Sequence, residues 1–475
     1  MPTNAARDHA SEHGYFYAGG AACCFSTNSA EIMQAVRRTF LPAHAAMDGD
    51  GFRVDIFVTA NDSPAPLWKQ PYFRGLEHMV VASFGPHDFL FFNQLTKHVR
   101  GRISPAMAND SELWQNTILP LMVGTMGPVC GVTPLHCACL VKGGEGTLLA
   151  GRSGTGKSTL TYALSRMGFE FLSDDWTYFS RQQGEVSAWG LPIPAKLLPD
   201  TTRFFPELRG HQPIDWLNGE SAISADPVAL GGTQRSLRCT PRRIFILERR
   251  SGPKAEFVPL AWEKALQWFE SGVQQLPASL SRFRADQLRT IQQLAERECW
   301  ILRFSGSPQE VAQALAEFCE NPRENPSSRA LSPNRMDARV PDLLRRFTPT
   351  PLQCDLRIRN EAIALETNSA ALLKTVRELA IANNETPASP GIRWRIVADS
   401  QLASESKFGD FDYAKAALPC VTFSGPSFLA FDEQHLMGIG FIAASALRRK
   451  DFVHSSLLPA ISSLLQRTSR TTEAA

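Results

Sequence analysis

The chain has 475 residues, of which 43% are hydrophobic and 20% are charged. This length predicts about two to four domains, and the composition excludes a chain that is disordered throughout. The 49 Lys and Arg residues nearly balance the 47 Asp and Glu residues, which excludes a general polyanion-binding surface. Nucleic acid is therefore not an expected partner, since no basic stripe with interleaved aromatic residues stands out either.

Three further features bear on where the protein resides. The first 16 residues have no basic run followed by an apolar stretch, which is unlike a secretory signal. The longest apolar region, residues 118–141, is interrupted by Pro120, Pro128 and Pro134, so a membrane span is not expected. The ten cysteines form no CxxC pair and predict reduced, mostly buried thiols. We expect a cytoplasmic protein that makes no membrane contact.

The two ends of the chain contain copies of one sequence pattern. The tetrapeptide TNSA occurs at residues 27–30 and again at 367–370, displaced by 340 positions. Other shared dipeptides keep this displacement or one residue less: 36–37 with 376–377, 85–86 with 425–426, 89–90 with 428–429, and 119–120 with 458–459. Several landmarks in register over about 95 residues indicate an internal duplication.

Each copy has the pattern of a small α+β module. A polar cap followed by an amphipathic stretch predicts helices over residues 30–39 and 370–380. Strand patterns follow in both copies, first at 52–59 and 392–398 and then at 89–93 and 428–432. The predicted order is a first module at 10–125, a central domain at 126–322, a linker at 323–351 and a second module at 352–470.

The central domain begins with a pattern typical of phosphate binding. Strand-like runs at 137–141 and 147–150, joined by a glycine-containing turn, predict an antiparallel hairpin. Residues 151–158, GRSGTGKS, follow directly and fit G-x-x-x-x-G-K-[ST] at every defined position. A helix predicted over 158–166 comes next. A strand before the loop and a helix after it are the context that a phosphate-binding loop requires.

The residues of this loop have distinct chemical roles in such a site. Backbone N–H groups and the start of the helix would face the phosphates of ATP. Lys157 would reach the β- and γ-phosphates, and Ser158 would offer its hydroxyl to Mg²⁺. The predicted ATP-binding residues are Gly151, Arg152, Ser153, Gly154, Thr155, Gly156, Lys157, Ser158 and Thr159.

An acidic pair follows the loop and its helix. The helix ends near Gly168, and a strand predicted at 169–172 leads to Asp174 and Asp175. A crossover of this length predicts that this strand and the strand at 147–150 are parallel neighbours, which brings both carboxylates to the γ-phosphate. One carboxylate could then hold Mg²⁺ while the other accepts the proton of an attacking hydroxyl. A pair that only caps a turn or holds metal is the alternative.

The stretch from His136 to Asp175 resembles the catalytic core of the HPr kinase/phosphorylase family and its kinase-like relatives, themselves similar to phosphoenolpyruvate carboxykinase. The shared features are a His that opens a strand, a glycine hairpin, a G-x-S-G-x-G-K-S loop, a helix that ends at Gly, and a strand that closes in Asp-Asp. The resemblance implies an α/β fold: a P-loop domain with a mixed sheet, here flanked by two duplicated α+β modules.

The same resemblance implies roles for single residues. Asp175 would be the proton acceptor, Lys157 and Ser158 would bind phosphate and Mg²⁺, and His136 would lie in the active site. With Asp175 as the base, Asp174 is the carboxylate of the pair that is left to hold Mg²⁺ with Ser158. Two features of the family's bifunctional enzymes are missing, a Glu-x-Arg-Gly loop after the acidic pair and a basic phosphorylase loop near the C-terminal end of the domain. Reversal of the phosphorylation by phosphate is therefore not expected.

The rest of the central domain offers weaker signals. Lys196 and Asp200 could face the nucleotide or the metal, or they could belong to a solvated turn. Further elements are predicted from periodicity, as strands at 244–247 and 300–304 and helices at 262–271 and 308–318.

Two functions are compatible with these residues. The first is an ATP- and Mg²⁺-dependent kinase that phosphorylates a hydroxyl, for which serine on a protein or peptide, free serine or another small molecule would serve as acceptor. The second is an ATP-binding or ATPase switch that changes the contacts of the modules without phosphorylating an acceptor. A scaffold without turnover is disfavoured by the intact Lys157, Ser158 and Asp175. Modules of this kind are also compatible with a homo-oligomer.

Overall fold

The computed structural model describes residues 12–43, 51–59, 71–85, 87–215, 221–320, 342, 344–358, 361–382, 390–402, 412–413, 420–423 and 426–472. Most of the predicted linker lies outside these residues, as do the first two positions of the predicted first module and the landmark residues Pro86 and Gly425. None of the described helices combines the length and the apolar character that a membrane-spanning helix needs.

The fold is α/β, and its described strands form four sheets. In the first module the strands are β1 Glu12–Ala18, β2 Ala21–Thr27, β3 Leu41–Pro42, β4 Phe52–Val58, β5 Tyr72–Leu76, β6 Met79–Gly85, β7 Asp88–Asn93 and β8 His98–Ile103. Its helices are α1 Ala30–Thr39, α2 Pro105–Asn109, α3 Ser111–Leu113 and α4 Leu119–Met126.

The central domain contains most of the remaining elements. Its strands are β9 Val132–Leu135, β10 Cys137–Lys142, β11 Glu145–Ala150, β12 Glu170–Ser173, β13 Thr177–Gln182, β14 Glu185–Trp189, β15 Ala195–Leu197, β16 Ile214–Asp215, β17 Ser221–Ala225, β18 Arg238–Arg249, β19 Ala255–Pro259 and β20 Glu298–Phe304. Its helices are α5 Lys157–Ser165, α6 Trp262–Gly272, α7 Arg284–Ala295 and α8 Pro308–Glu320.

The second module completes the chain. Its strands are β21 Leu352–Ile358, β22 Glu361–Thr367, β23 Ile392–Asp399, β24 Asp412–Tyr413, β25 Cys420–Thr422, β26 Phe428–Asp432 and β27 Met437–Ala443. Its helices are α9 Ala370–Ala382, α10 Lys450–Phe452 and α11 Leu458–Thr472. The paired helices and strands predicted from the repeat are all present, within about two residues of their predicted ends.

The two modules have the same sheet topology. The first sheet has the order β3-β1-β2-β4-β8-β7-β6-β5, and the second has the order β21-β22-β23-β27-β26-β25-β24. Seven strands therefore correspond one to one. The strand register agrees as well. Thr27 pairs with Ile56 in the first module, and Thr367 pairs with Ile396 in the second, each residue 340 positions after its counterpart. The domain limits themselves stay predictions.

The repeated TNSA motif has a structural cause. Ser29 Oγ accepts a hydrogen bond from the backbone N–H of Ile32 at 3.3 Å and thereby caps α1. Asn28 Oδ1 accepts from the backbone N–H of Val58 at 2.7 Å, which ties the helix entry to the end of β4. The second module makes the same two contacts, at 3.2 and 2.7 Å, with residues 340 positions higher. The motif thus fixes one strand–helix–strand junction in each copy.

The two modules pack against each other through an apolar face of each sheet. The side chains buried there are Leu76, Met79, Val81 and Phe91 of the first module with Val397, Cys420, Phe428, Ala430, Met437, Ile439 and Phe441 of the second. A buried ion pair joins Arg74 Nε to Asp399 Oδ2 at 2.9 Å. Asn93 Nδ2 donates to Asp432 Oδ2 at 2.8 Å, and these two residues occupy equivalent positions of the repeat. Contact between equivalent positions is what a pseudo-twofold pairing produces.

The central sheet has helices on both faces. Its main path is β12-β10-β11-β18-β14-β13-β9, and β20 and β19 continue beside β18. Helices α5 and α8 pack on one face and α6 and α7 on the other, because alternate residues of the strands point to opposite sides. The predicted hairpin is confirmed, since β10 and β11 are antiparallel with Lys142 opposite Glu145 across a two-residue turn.

One topological prediction is wrong. The strands β11 and β12 are parallel but not adjacent, because β10 lies between them and is antiparallel to both. The position next to β11 predicted for β12 is occupied by β10, the hairpin partner of β11.

Candidate functional site

Three segments of the chain meet at one edge of the central sheet. Because β10 is antiparallel to β11 and β12, the start of β10 lies at the same edge as the ends of the other two strands. His136 precedes β10, Gly151 follows β11, and Asp174 follows β12. Thr177 Oγ1 donates to the carbonyl of Cys137 at 2.8 Å and so holds the acidic turn against the start of β10. The observed strand order, with β10 between β11 and β12, therefore still brings the predicted residues close together.

The loop after β11 leads directly into α5. Gly154 has φ of 79° and Gly156 has φ of 101°, both in the left-handed region that favours glycine. Gly156 is the N-cap residue of α5, so the loop delivers its backbone to the start of the helix. Alternating backbone conformations of this kind form concave arrays of N–H groups that bind anions. Residues 151–159, predicted to bind ATP, make up this loop and the first residues of the helix.

Lys157 lies over the loop. Its Nζ donates to the carbonyl oxygens of Gly151 at 2.9 Å and Arg152 at 3.2 Å, and the residue is only 6% exposed. Thr155 Oγ1 donates to the same Arg152 carbonyl at 2.8 Å, which closes the loop into a tight turn. A buried ammonium group at the mouth of an N–H-lined loop favours a negatively charged ligand.

Asp174 is a buried carboxylate that is only partly satisfied. Its Oδ2 accepts from the backbone N–H of Lys196 at 2.9 Å, whereas its Oδ1 has no hydrogen-bond partner among the described residues. Burial raises the pKa of Asp174 to about 6, although the Lys196 N–H and the Ser158 hydroxyl act in the opposite direction. A buried oxygen without a partner, close to a serine hydroxyl, could hold a hard cation such as Mg²⁺.

Asp175 has a different environment. Its Oδ1 accepts from His136 Nε2 at 2.7 Å, and its Oδ2 lies 3.8 Å from Lys196 Nζ. Burial alone would raise the pKa of Asp175, but the hydrogen bond from His136 and the positive charges nearby lower it overall. Asp175 is therefore an ionised carboxylate, and 39% of its side chain is exposed to solvent.

The structure brings together most of the predicted residues. His136, Lys157, Ser158, Asp174 and Asp175 lie at the same edge of the sheet. Asp200 lies in a 3-10 helix, and its carboxylate, 63% exposed, pairs with Arg203 at 3.5 Å rather than with these residues.

Two contributions at the site were missed by sequence reasoning. The backbone N–H of Lys196 holds Asp174, and the ring of Trp176 lies 5.6 Å from the ring of His136, centroid to centroid. The Trp was visible directly after the acidic pair, but no pattern linked it to a histidine 40 residues earlier. The backbone contact had no sequence signal at all. Cys137, also nearby, has its pKa raised to about 12 by burial, so its thiol stays neutral.

Asp174→Asn is expected to stabilise the fold at neutral pH. As pH rises, the unfolded chain loses this proton first, near 3.8, and the folded chain loses it only near 6, so the buried charge lowers the stability of the wild type above that range. Removing the charge should raise the free energy of unfolding by up to roughly 3 kcal/mol at pH 8 and by little below pH 4. Thermal unfolding of both proteins at pH 8 and pH 4 measures this. A variant less stable than the wild type at pH 8 would contradict the assigned environment.

Comparisons with known proteins do not establish a family. No protein-family model and no curated protein matches the chain. The chain is similar to the solved structure of the Hpr(Ser) kinase/phosphatase from Coxiella burnetii. The similarity covers 40% of this chain and 88% of that protein's chain, with 13% sequence identity and a TM-score of 0.22.

Proposed function

We propose that the chain is an ATP- and Mg²⁺-dependent kinase that transfers the γ-phosphate to a hydroxyl, in the first instance a serine hydroxyl, on a protein, peptide or small-molecule acceptor. The observation that carries this proposal is the contrast between the two adjacent carboxylates beside the loop. Asp174 is buried with an unpartnered oxygen, and Asp175 is accessible and paired with His136. Carboxylates whose environments differ in this way can divide metal binding and proton transfer between them.

The loop at 151–159 would bind the phosphates of ATP. Its backbone N–H groups and the start of α5 supply partial positive charge, and Lys157 would exchange its two carbonyl contacts for oxygens of the β- and γ-phosphates. Phosphoryl transfer depends mainly on positioning and charge stabilisation, so these groups contribute most of the catalysis. The central domain would then be a P-loop kinase domain of the type found in HPr kinase.

The cation would be held by Asp174 and Ser158. Asp174 Oδ1 is buried without a partner, and the Ser158 hydroxyl is near enough to lower the pKa of that carboxyl. Mg²⁺ when bound would neutralise charge on the transferring phosphoryl group. Lys196 holds the other carboxylate oxygen through its backbone N–H, which leaves Oδ1 to bind the cation.

Asp175 would accept the proton of the attacking hydroxyl. It is ionised at neutral pH, and its exposed face lets an acceptor come within hydrogen-bond distance. His136 shares a hydrogen bond with Asp175 and would hold that carboxylate in position. The acceptor oxygen, once deprotonated, attacks the γ-phosphorus, and ADP leaves with the electron pair of the broken P–O bond.

The competing proposal is an ATP-binding or ATPase switch that has no acceptor. The two are separated by the destination of the phosphoryl group, which is a phosphate ester in a kinase and inorganic phosphate in an ATPase. Incubation of the wild-type chain with γ-labelled ATP and a serine-bearing acceptor distinguishes them. Label in the acceptor that requires Asp175 supports the kinase, and label found only in inorganic phosphate supports the switch.

The second module is expected to support phosphorylation of the acceptor or the solubility of the chain, rather than the binding of ATP. Truncation after residue 325 should leave ATP binding nearly intact, because every residue of the candidate site precedes that position, and should reduce acceptor phosphorylation or solubility. Loss of the second module uncovers the apolar face of the first, which is buried in the full chain. Calorimetric titration with Mg·ATP and the soluble yield measure the two effects.

A chain truncated later, after residue 351, serves as the matched control. It keeps Leu344 and Arg346, which are buried against the first module, while it removes the second sheet. A chain that ends at residue 325, stays soluble and phosphorylates its acceptor at the full-length rate would show that the second module is dispensable for this chemistry.

A further inference from the structure

Two histidines and an aspartate meet where the two modules pack, outside the candidate kinase site. His78 Nε2 lies 2.6 Å from Asp432 Oδ2, and His435 Nδ1 lies 2.7 Å from the same oxygen. The three atoms lie within 4.8 Å of one another, and no other such group of His, Cys, Asp and Glu ligands occurs among the residues that the structure describes. His78 belongs to the first module, and the other two residues belong to the second.

Tight turns hold these side chains in position. His78 lies in the turn between β5 and β6, and His435 lies in the turn between β26 and β27. Asp432 ends β26, and its Oδ1 accepts from the backbone N–H groups of Gln434 at 3.0 Å and His435 at 3.4 Å. Because Oδ1 is used by the turn, Oδ2 is the oxygen that faces the two imidazoles. The carboxylate is therefore oriented by the backbone before any ligand arrives.

Asn93 completes the surroundings of the carboxylate. Its Nδ2 donates to Asp432 Oδ2 at 2.8 Å. Its Oδ1 accepts from the backbone N–H groups of Leu95 and Thr96, both at 3.1 Å, so the orientation of the amide is fixed. A carboxylate that binds a metal is commonly held by such a donor, which orients it towards the ion.

We propose that His78, Asp432 and His435 form a binding site for a divalent transition metal, with Zn²⁺ as the best match, that links the first module to the second. Two imidazole nitrogens and one carboxylate oxygen are a ligand set that Zn²⁺ takes in proteins, with a fourth position for water. His78 is 1% exposed, whereas 41% of the His435 side chain is exposed. Solvent can therefore reach the fourth position from the His435 side.

The geometry requires a small adjustment to admit the ion. Tetrahedral bonds of about 2.0 to 2.2 Å separate ligand atoms by roughly 3.3 Å, so each imidazole nitrogen must move away from Asp432 by roughly 0.6 Å. His435 lies on an exposed turn and can make this movement. His78 Nδ1 has no hydrogen-bond partner among the described residues, so no donor there prevents the proton from residing on Nδ1 and leaving Nε2 for the metal.

Zinc binding to the full chain tests this site. The chain, freed of metal with a chelator and kept in excess Mg²⁺, is titrated with Zn²⁺ in competition with a chromophoric chelator. The wild type should bind about one equivalent more than His435→Ala, or bind it on the order of 10²-fold more tightly. His211→Ala, which removes an exposed histidine of the central domain, should behave like the wild type. Equal stoichiometry and affinity in the wild type and His435→Ala would overturn the proposal.

A second measurement distinguishes loss of the metal site in His435→Ala from loss of the fold. Co²⁺ replaces Zn²⁺ in tetrahedral sites and then absorbs visible light strongly, so the wild type and His211→Ala should give this absorption and His435→Ala should not. Because His435 lies on an exposed turn, His435→Ala should keep the fold, and the metal-free wild type and His435→Ala should both unfold cooperatively. Absence of the absorption in the wild type would mean that the three side chains form only a hydrogen-bonded contact between the modules.

Discussion

An Asp175→Asn protein should bind Mg·ATP almost as well as the wild type and transfer phosphate at least about 10²-fold more slowly. The amide that replaces the carboxylate can still hydrogen-bond to His136, but it cannot accept the proton of an attacking hydroxyl. The phosphate loop and Asp174 are unchanged by the substitution, so the ATP site stays intact. Calorimetric titration with Mg·ATP and single-turnover transfer to the acceptor measure binding and chemistry separately.

Asp200→Asn is the matched control for this substitution. It makes the same chemical change at an exposed carboxylate of the same region, where the partner is Arg203 rather than His136. Transfer by this variant should equal that of the wild type. If Asp175→Asn instead loses ATP affinity in parallel with activity, Asp175 is chiefly a metal-site residue and its assignment as base is wrong.

Lys157→Ala should lower turnover by on the order of 10² to 10³. The substitution removes a preorganised cation from the transferring phosphoryl group, and a reaction of this type offers little other chemistry to compensate. Because Lys157 is buried, Lys157→Met is the better-packed companion variant, and its thermal midpoint separates loss of charge from loss of packing. The initial rate of phosphate transfer at saturating ATP is the measurement.

The control lysine lies at the far end of the same hairpin. Lys142 Nζ is 2.6 Å from Glu320 Oε1, and both side chains are exposed. Lys142→Ala should leave turnover unchanged, since this ion pair lies at the opposite end of β10 from the loop. Turnover in Lys157→Ala equal to that of the wild type would remove the basis for assigning the loop to ATP.

Local signals in the sequence predicted much of the fold. The cap at Ser29 and its amphipathic helix gave both ends of α1, and the glycine turn between two apolar runs gave the hairpin of β10 and β11. The phosphate loop was predictable because its glycines and its flanking elements are contiguous in the chain. The hairpin of β1 and β2 is not among the predicted elements, although Gly19-Gly20 between two alternating runs is a strong turn signal.

Long-range pairing was beyond the reach of the sequence. β10 could pair with either edge of β11, and only one of these two arrangements places β10 between β11 and β12. The local sequence pattern is the same in both arrangements. His78 and Asp432 are separated by 354 residues, and neither lies in a motif. The contact between Lys196 N–H and Asp174 uses a backbone group, which every residue type except proline carries.

The destination of the γ-phosphate tests the proposed kinase most directly. The wild type, Asp200→Asn and Asp175→Asn are each incubated with γ-labelled ATP, Mg²⁺ and a cell extract, and the labelled species are identified by mass spectrometry. A kinase should give a hydroxyl-phosphorylated product with the wild type and with Asp200→Asn and none with Asp175→Asn. Label that appears only in inorganic phosphate, at the same rate with and without extract, would contradict the kinase and identify the chain as an ATPase.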